Sequence, residues 1–233
     1  MVANLSGSGP GAEAPQAVQL SAAWFEARRG RITASLVPAI LGQSPFATSR
    51  QAMRQLVRAW HRVASESSGN VATRYGQQNE ETARLCFETE FQCRVGRAGL
   101  FEREGWAGCS PDGFVGSTEG LEIKCPFGAR DSTVGQPYEF KSIFGPDLAH
   151  YYSQVAFSLW VTGRPSWHFY QWCPSHTRHE VVRLDRQYFG WQGENLPVIR
   201  QFYQEFLAER ELPAAQKHLD PLPSRRRPHV RAE

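Results

Sequence analysis

The sequence predicts an α/β fold, a central mixed β-sheet flanked by helices. Three observations carry this. Five short runs at 94–103, 107–115, 121–125, 167–173 and 179–184 read as strands. Stretches with helical spacing precede, interrupt and follow them, at 21–29, 33–41, 48–62, 73–91, 147–161 and 185–209. The 233 residues, 41% of them hydrophobic, suffice for one full core, with no composition break in the middle and no internal repeat.

Taken in order, residues 1–20 are rich in Gly, Ala, Ser and Pro and predict a disordered tail. The domain is expected over 21–212. In the 33–41 helix, Thr33 or Ser35 serves as a cap, and Ile32, Leu36, Ile40 and Leu41 form an apolar stripe. Met53, Trp60 and His61 on the 48–62 helix are expected to be partly exposed, where they could serve as an apolar wedge. The 73–91 stretch lacks proline and turns Leu85, Phe87 and Phe91 inward; Glu80 and Arg84, four apart, can pair on its surface. Runs 107–115 and 121–125 form a hairpin across Gly116-Ser117-Thr118-Glu119-Gly120. The 147–161 helix buries Leu148, Tyr152, Val155 and Leu159. Pro197 kinks the last helix or starts a new one. From Pro213 on, prolines and Arg225-Arg226-Arg227 predict a flexible basic tail over 213–233.

Composition excludes several functions. A formal net charge of +3 is too mild to declare nucleic-acid binding by itself. Five cysteines without a Cys-x-x-Cys read as reduced thiols of a cytoplasmic protein and argue against an iron–sulfur cluster. His176 and His179 fall in a loop-like stretch without zinc-ligand partners. No apolar run approaches a membrane span, and no secretory signal is evident.

The chemistry concentrates in Ser110-Pro111-Asp112-Gly113 and Leu121-Glu122-Ile123-Lys124. Side chains alternate along a strand, so Glu122 and Lys124 leave one face while Leu121, Ile123 and Cys125 enter the core. Asp112, at the end of the neighbouring strand, can approach Glu122. Two converging carboxylates make a hard-oxygen site of the kind Mg²⁺ accepts, and the adjacent lysine serves a phosphate or an attacking water. An acid followed by Glu-x-Lys is the layout of metal-assisted phosphodiester hydrolysis.

These residues resemble the core motif of the lambda exonuclease family, the YqaJ-like phage recombination nucleases of the PD-(D/E)xK superfamily. Ser-Pro-Asp-Gly and Leu-Glu-Ile-Lys-Cys-Pro-Phe (121–127) carry the likeness. Three further segments match in order: Arg28-Arg29-Gly30-Arg31-Ile32-Thr33-Ala34-Ser35, Tyr75-Gly76-Gln77-Gln78-Asn79-Glu80 and Tyr151-Tyr152-Ser153-Gln154. The resemblance spans about 24–210 and implies a restriction-endonuclease-like nuclease core. It implies that Asp112, Glu122 and the Ile123 carbonyl ligate metal, with Glu80 near a second metal or its water shell. Glu81 is the competing carboxylate, and family register favours Glu80. Lys124 would orient or activate water, and Gln154 would position water or phosphate. Arg28, Ser35 and Ser110 would hold a 5′-terminal phosphate. The implied activity is Mg²⁺-dependent 5′→3′ degradation of one strand of linear duplex DNA, with two ions per site and Mn²⁺ as a substitute. Also implied are a 3′ overhang, a single-strand annealing partner, a ring-shaped homotrimer and a phage or prophage origin in a bacterial host. The rivals are a structure-specific or restriction-like endonuclease on this fold and a non-catalytic DNA-binding protein.

Overall fold

The computed structural model describes residues 12–13, 21–63 and 69–220. It is a mixed α/β architecture with flanking helices, as the sequence predicts, but the strands divide between two sheets. One holds β1 (Ala12–Glu13), β2 (Ile32–Thr33), β4 (Phe101–Arg103) and β5 (Ala107–Cys109), in the order β1-β4-β5-β2. The other holds β3 (Val95–Gly96), β6 (Gly113–Val115), β7 (Glu119–Lys124), β8 (Ser166–Cys173) and β9 (His176–Arg183), in the order β3-β6-β7-β8-β9. The pairs β2/β5 and β7/β8 are parallel and the rest antiparallel.

The predicted 94–103 and 107–115 strands are therefore each cut in two. Their first and second halves belong to different sheets, and the second cut falls at Ser110-Pro111-Asp112. Proline has no N–H for a ladder bond, so the strand breaks where Pro111 stands. The predicted 33–41 helix is also corrected. Ile32–Thr33 pair with β5, a 3₁₀ turn covers Ala34–Leu36, and only α2 (Val37–Ile40) is α-helical. The apolar residues there, Ile32, Leu36 and Ile40, are buried from three different backbone conformations.

The remaining helices are α1 (Ala22–Arg28), α3 (Ser49–Trp60), α4 (Val71–Glu90), α5 (Ala149–Thr162), α6 (Arg186–Glu209) and α7 (Gln216–Leu219). Side-chain N-caps start four of them: Ser21, Thr48 in a capping box with Gln51, Asn70 and Asp185. The parallel β7/β8 pair needs a long crossover, and α5 supplies it. Helix α5 ends at Gly163 with φ 67°, a left-handed cap that suits glycine. Helix α6 runs through Pro197 without ending, so no second helix starts there.

The β7/β8 sheet is covered on both faces. One face of β8, Trp167 and Phe169, joins the main core with Val155, Phe157 and Leu159 of α5 and with Ile199 and Phe206 of α6. The other face packs Leu121, Ile123 and Tyr170 against Ala83 and Phe87 of α4. Each fully buried side chain of this size contributes roughly 1.5–3 kcal/mol. Leu85, expected inside, is half exposed; Ala83 and Phe87 form the inward face of α4 instead.

Other expectations are revised. Of the three residues expected to be partly exposed, Met53 is buried in the core and so is no wedge; Trp60 and His61 are half-buried as expected, Trp60 edge-on against Phe206 and His61 Nε2 2.8 Å from the Arg210 carbonyl. Ala12–Glu13, within the expected N-terminal tail, pair with Glu102 and Phe101. The packed chain also continues past residue 212: Ala215 and His218 are buried, and Arg58 Nη1 donates to the Leu219 carbonyl at 3.0 Å. The Arg225–Arg227 cluster lies outside the described residues. His176 and His179 sit on β9 rather than in a loop. His179 stacks on His168 with a 2.8 Å contact between ring nitrogens, and His176 Nδ1 lies 2.9 Å from Ser175 Oγ. All five cysteines are free. No helix among the described residues is long and apolar enough to cross a membrane.

Candidate active site

Asp112 sits where the chain passes from one sheet to the other. Its backbone N–H donates to the Leu121 carbonyl at 3.1 Å, and Ile123 N–H donates to its Oδ2 at 2.6 Å. Two bonds to β7 thus fix the carboxylate beside Glu122. The next residue, Gly113, must be glycine for want of space: a Cβ there would lie 2.2 Å from Val95 Cγ1 and 3.1 Å from the Gly96 carbonyl.

Glu122 and Lys124 leave the α5 face of β7, opposite Leu121 and Ile123. Glu122 is only 4% exposed, and its Oε1 accepts from both Lys124 Nζ and Gln154 Nε2, the latter at 2.6 Å. Gln154, in the second turn of α5, thereby reaches across to the sheet. Lys124 Nζ also stands 5.0 Å from the centroid of the Tyr151 ring, a cation–π distance. Glu80, on α4, is half-buried; its charge is felt by Asp112 and Cys125, and it feels that of Glu122 in turn. Glu81 is exposed and held by Arg84 at 2.6 Å. Arg84 pairs with Glu81 and Glu88 rather than with Glu80.

The electrostatics of the cluster are lopsided. Burial, then the Glu122 charge, pushes the Asp112 carboxyl well above the ordinary range; Glu80 adds to this, and Lys124 opposes it. Burial and then Glu122 also raise Glu80. Burial works against the Lys124 charge, but Glu122 and Asp112 outweigh it and raise its pKa. Burial, followed by Glu80 and Asp112, pushes the Cys125 thiol up to about 12. Three carboxyl groups thus share one ammonium.

Among the described residues no three His, Cys, Asp or Glu side chains form a ready-made metal cage. Glu122 is turned to Lys124 and Gln154, and Asp112 to the β7 backbone. The donors are nevertheless carboxylate oxygens in mutual repulsion, and a hard divalent cation such as Mg²⁺ or Mn²⁺ fits that chemistry. The side-chain contact seen at Ile123 is through its N–H, to Asp112 Oδ2.

On the other side of Ser110-Pro111-Asp112 lies a cationic pocket. Arg28, at the end of α1, places Nη2 3.1 Å from Thr33 Oγ1 and 3.4 Å from Ser35 Oγ, and Nη1 3.5 Å from Ser110 Oγ. Its guanidinium lies 4.1 Å over the Trp24 ring, and Trp24 Nε1 donates to Ser110 Oγ at 2.9 Å. No carboxylate among the described residues pairs with Arg28, and burial pushes its pKa down to about 10. A charged fork ringed by three hydroxyls has donors that suit an anion.

The structure thus gathers Asp112, Glu122, Lys124, Glu80 and Gln154 at one place and Arg28, Ser35 and Ser110 at another. Sequence reasoning missed Trp24, Thr33 and Tyr151. Trp24 and Arg28 are four apart on one helix face, and Tyr151 and Gln154 three apart, so helical spacing held the signal. Helical spacing over 33–41 makes Thr33 or Ser35 a cap; in β2 the Thr33 hydroxyl meets Arg28 instead.

A sheet that brings Asp, Glu and Lys together beside an Arg/Ser anion pocket defines the PD-(D/E)xK nuclease class, in its lambda-exonuclease-like form. The chain matches the YqaJ-like viral recombinase domain over residues 23–165 and belongs to that family. Its fold is similar to LHK-Exo, solved in complex with dAMP, at 26% identity and TM-score 0.64, covering 84% of this chain and 98% of that one. LHK-Exo, an alkaline exonuclease from Laribacter hongkongensis, matches in a second structure at 25% identity, TM-score 0.64 and the same coverage. A phage-related exonuclease from Haemophilus somnus 129PT shares the fold at 12% identity and TM-score 0.56, covering 80% of this chain and 99% of that one. No curated protein matches significantly.

Proposed function

We propose that this protein is a divalent-metal-dependent 5′→3′ exodeoxyribonuclease that degrades one strand of linear duplex DNA and leaves a 3′ overhang. The observation that carries the reading is the adjacency of two oppositely charged pockets. Ser110 lines one and Asp112 the other, so their Cα atoms are at most about 7 Å apart. A 5′-phosphate against Arg28 leaves the following phosphodiester within reach of the acidic cluster, and register is set one nucleotide at a time.

Asp112, Glu122 and the Ile123 carbonyl would hold Mg²⁺, with Glu80 toward a second ion or its water shell. When bound, the metal would supply Lewis-acid activation of water and neutralise charge at the phosphate and leaving 3′ oxygen. The chain's own groups do the rest. Lys124, held cationic by its carboxylate neighbours, aligns the attacking water and the phosphate. Gln154 positions Glu122 by its hydrogen bond and leaves its carbonyl oxygen for water. Arg28, Thr33, Ser35 and Ser110 bind the terminal phosphate. The bound dAMP of LHK-Exo is a 5′-mononucleotide, the product class this register gives. Assembly as a homotrimeric ring, transfer of the overhang to a single-strand annealing protein, and action in a bacterial host's cytoplasm complete the proposal.

The test is time-resolved digestion of matched linear duplexes bearing 5′-phosphate or 5′-hydroxyl ends, in Mg²⁺, in Mn²⁺ and in EDTA, beside closed circular DNA. Mononucleotides from the phosphorylated linear DNA, lost in EDTA, support the reading. Cutting of the circle moves it to an endonuclease, and binding without cleavage to a DNA-binding protein.

A further inference from the structure

The loop between α2 and α3 presents an aromatic ring to solvent on a fixed base. Phe46 is 78% exposed, yet its loop is pinned at several points. Gln43 N–H and Ser44 N–H both donate to the Pro38 carbonyl, at 2.9 and 3.1 Å. Ser44 Oγ accepts from Phe46 N–H and Ala47 N–H, at 3.1 and 3.2 Å, and Ser153 Oγ donates to Gln43 Oε1 at 2.6 Å. The Thr48/Gln51 capping box closes the other end.

A single exposed phenylalanine is ordinary on a protein surface. This one heads a line of rings that ends at the acidic cluster. Phe46 meets His150 edge-to-face, with centroids 6.2 Å apart and planes at 82°. His150 lies 4.1 Å from Tyr151, and Tyr151 lies 5.0 Å from Lys124 Nζ. All three groups on α5 and β7 are at least partly accessible. An open ring face on a rigid loop suits one ligand chemistry above others, the flat face of a nucleobase. Stacking of that kind does not depend on which base is present, which a non-selective exonuclease requires.

We propose that Phe46, backed by His150, is a base-stacking platform that positions the strand undergoing cleavage beside Lys124. This rests on the nuclease reading above. Phe46 acts as a positioning residue: it holds a base and leaves the chemical step to the acidic cluster.

The test is steady-state digestion of 5′-phosphorylated linear duplex in Mg²⁺ by wild type, Phe46→Ala and Phe46→Trp, repeated with single abasic sites walked along the degraded strand. The ring is exposed, so neither substitution disturbs the core. Loss of one stacked base predicts a KM about ten-fold higher for Phe46→Ala, with kcat little changed. Phe46→Trp restores KM. One abasic position raises KM for the wild type and has no effect on Phe46→Ala. Wild-type KM in Phe46→Ala, or equal abasic penalties in both proteins, overturns the platform while cleavage by the wild type leaves the nuclease reading standing. Failure of the wild type to cleave any linear DNA overturns the nuclease reading instead. The platform is then decided by fluorescence: quenching of the indole introduced by F46W when a 5′-phosphorylated oligonucleotide binds supports it, and no quenching on binding refutes it.

Discussion

Two pockets meet at Ser110-Pro111-Asp112, and they fail in opposite ways. Asp112, Glu122 and Glu80 bring three acidic groups to one ammonium, Lys124. Arg28 brings one guanidinium to three hydroxyls and, among the described residues, no acid. The same burial pushes the Asp112 acid up and the Arg28 base down, because in each case it disfavours the charged form. A purely structural salt-bridge network would have paired these surpluses with each other. They stay apart instead, touching one segment through Ser110 and Asp112, and on the proposed reading each would take its counter-charge from a ligand: a cation on one side, an anion on the other.

The comparison breaks most visibly at the acidic side. Lys124→Ala and Asp112→Asn should each lower cleavage about a thousand-fold or more, with circular dichroism and DNA binding in EDTA preserved. Turnover near wild type in either variant would remove the cluster from the chemistry. At the cationic side the effect should be smaller and selective. Charge-assisted hydrogen bonds of this kind are worth about 1.5–3 kcal/mol. Arg28→Gln should therefore reduce the preference for a 5′-phosphate over a 5′-hydroxyl end by about 10–100-fold, with the hydroxyl substrate degraded as before. An equal loss on both substrates would make Arg28 a structural residue.

Stability sharpens the contrast. A carboxyl whose folded pKa is raised stabilises the fold below its ordinary pKa, and that contribution is lost as pH rises through the folded value. In EDTA, the wild-type Tm should therefore fall as pH rises above the ordinary aspartate range and through the raised value, while Asp112→Asn should be flatter over that range and higher above it. Added Mg²⁺ should raise the wild-type Tm and leave the variant's nearly unchanged. Thermal melts across pH check both. A variant that melts below wild type in EDTA would mean that the charge Asp112 lends to the bond from Ile123 N–H outweighs the repulsion.

Much of this site was legible because its residues act through short-range geometry. Glu122 and Lys124 share a face by strand alternation, and Asp112 is carried to them by an adjacent antiparallel strand. The two-sheet division was not legible. Runs 94–103 and 107–115 have continuous strand character, and only Pro111, in hindsight, marks where the ladder must stop. Thr33 escaped for a related reason: Ile32, Leu36 and Ile40 have helical spacing, yet long-range pairing of Ile32 with Ala107 overrides it. The C-terminal boundary escaped because Ala215 and His218 are buried by α3 and α6, contacts no local pattern announces.

The smallest predicted effect concerns the acid that sequence left undecided. Glu80 and Glu81 are neighbours on α4, a rotation of about 100° apart, so only one can face the sheet. Glu80 is the more buried and feels the charges of Glu122 and Lys124, whereas Glu81 is exposed and pinned to Arg84. Yet Glu80 is half-buried and makes no hydrogen bond to the cluster, so its influence is electrostatic and reaches Asp112 only after that of Glu122 and Lys124. Glu80→Gln should therefore lower cleavage less than Asp112→Asn does, and raise the Mg²⁺ concentration needed for half-maximal activity. Glu81→Gln should change neither. A Mg²⁺ titration of both variants checks this, and an unchanged midpoint in Glu80→Gln would confine the proposed metal-holding role to Asp112, Glu122 and the Ile123 carbonyl.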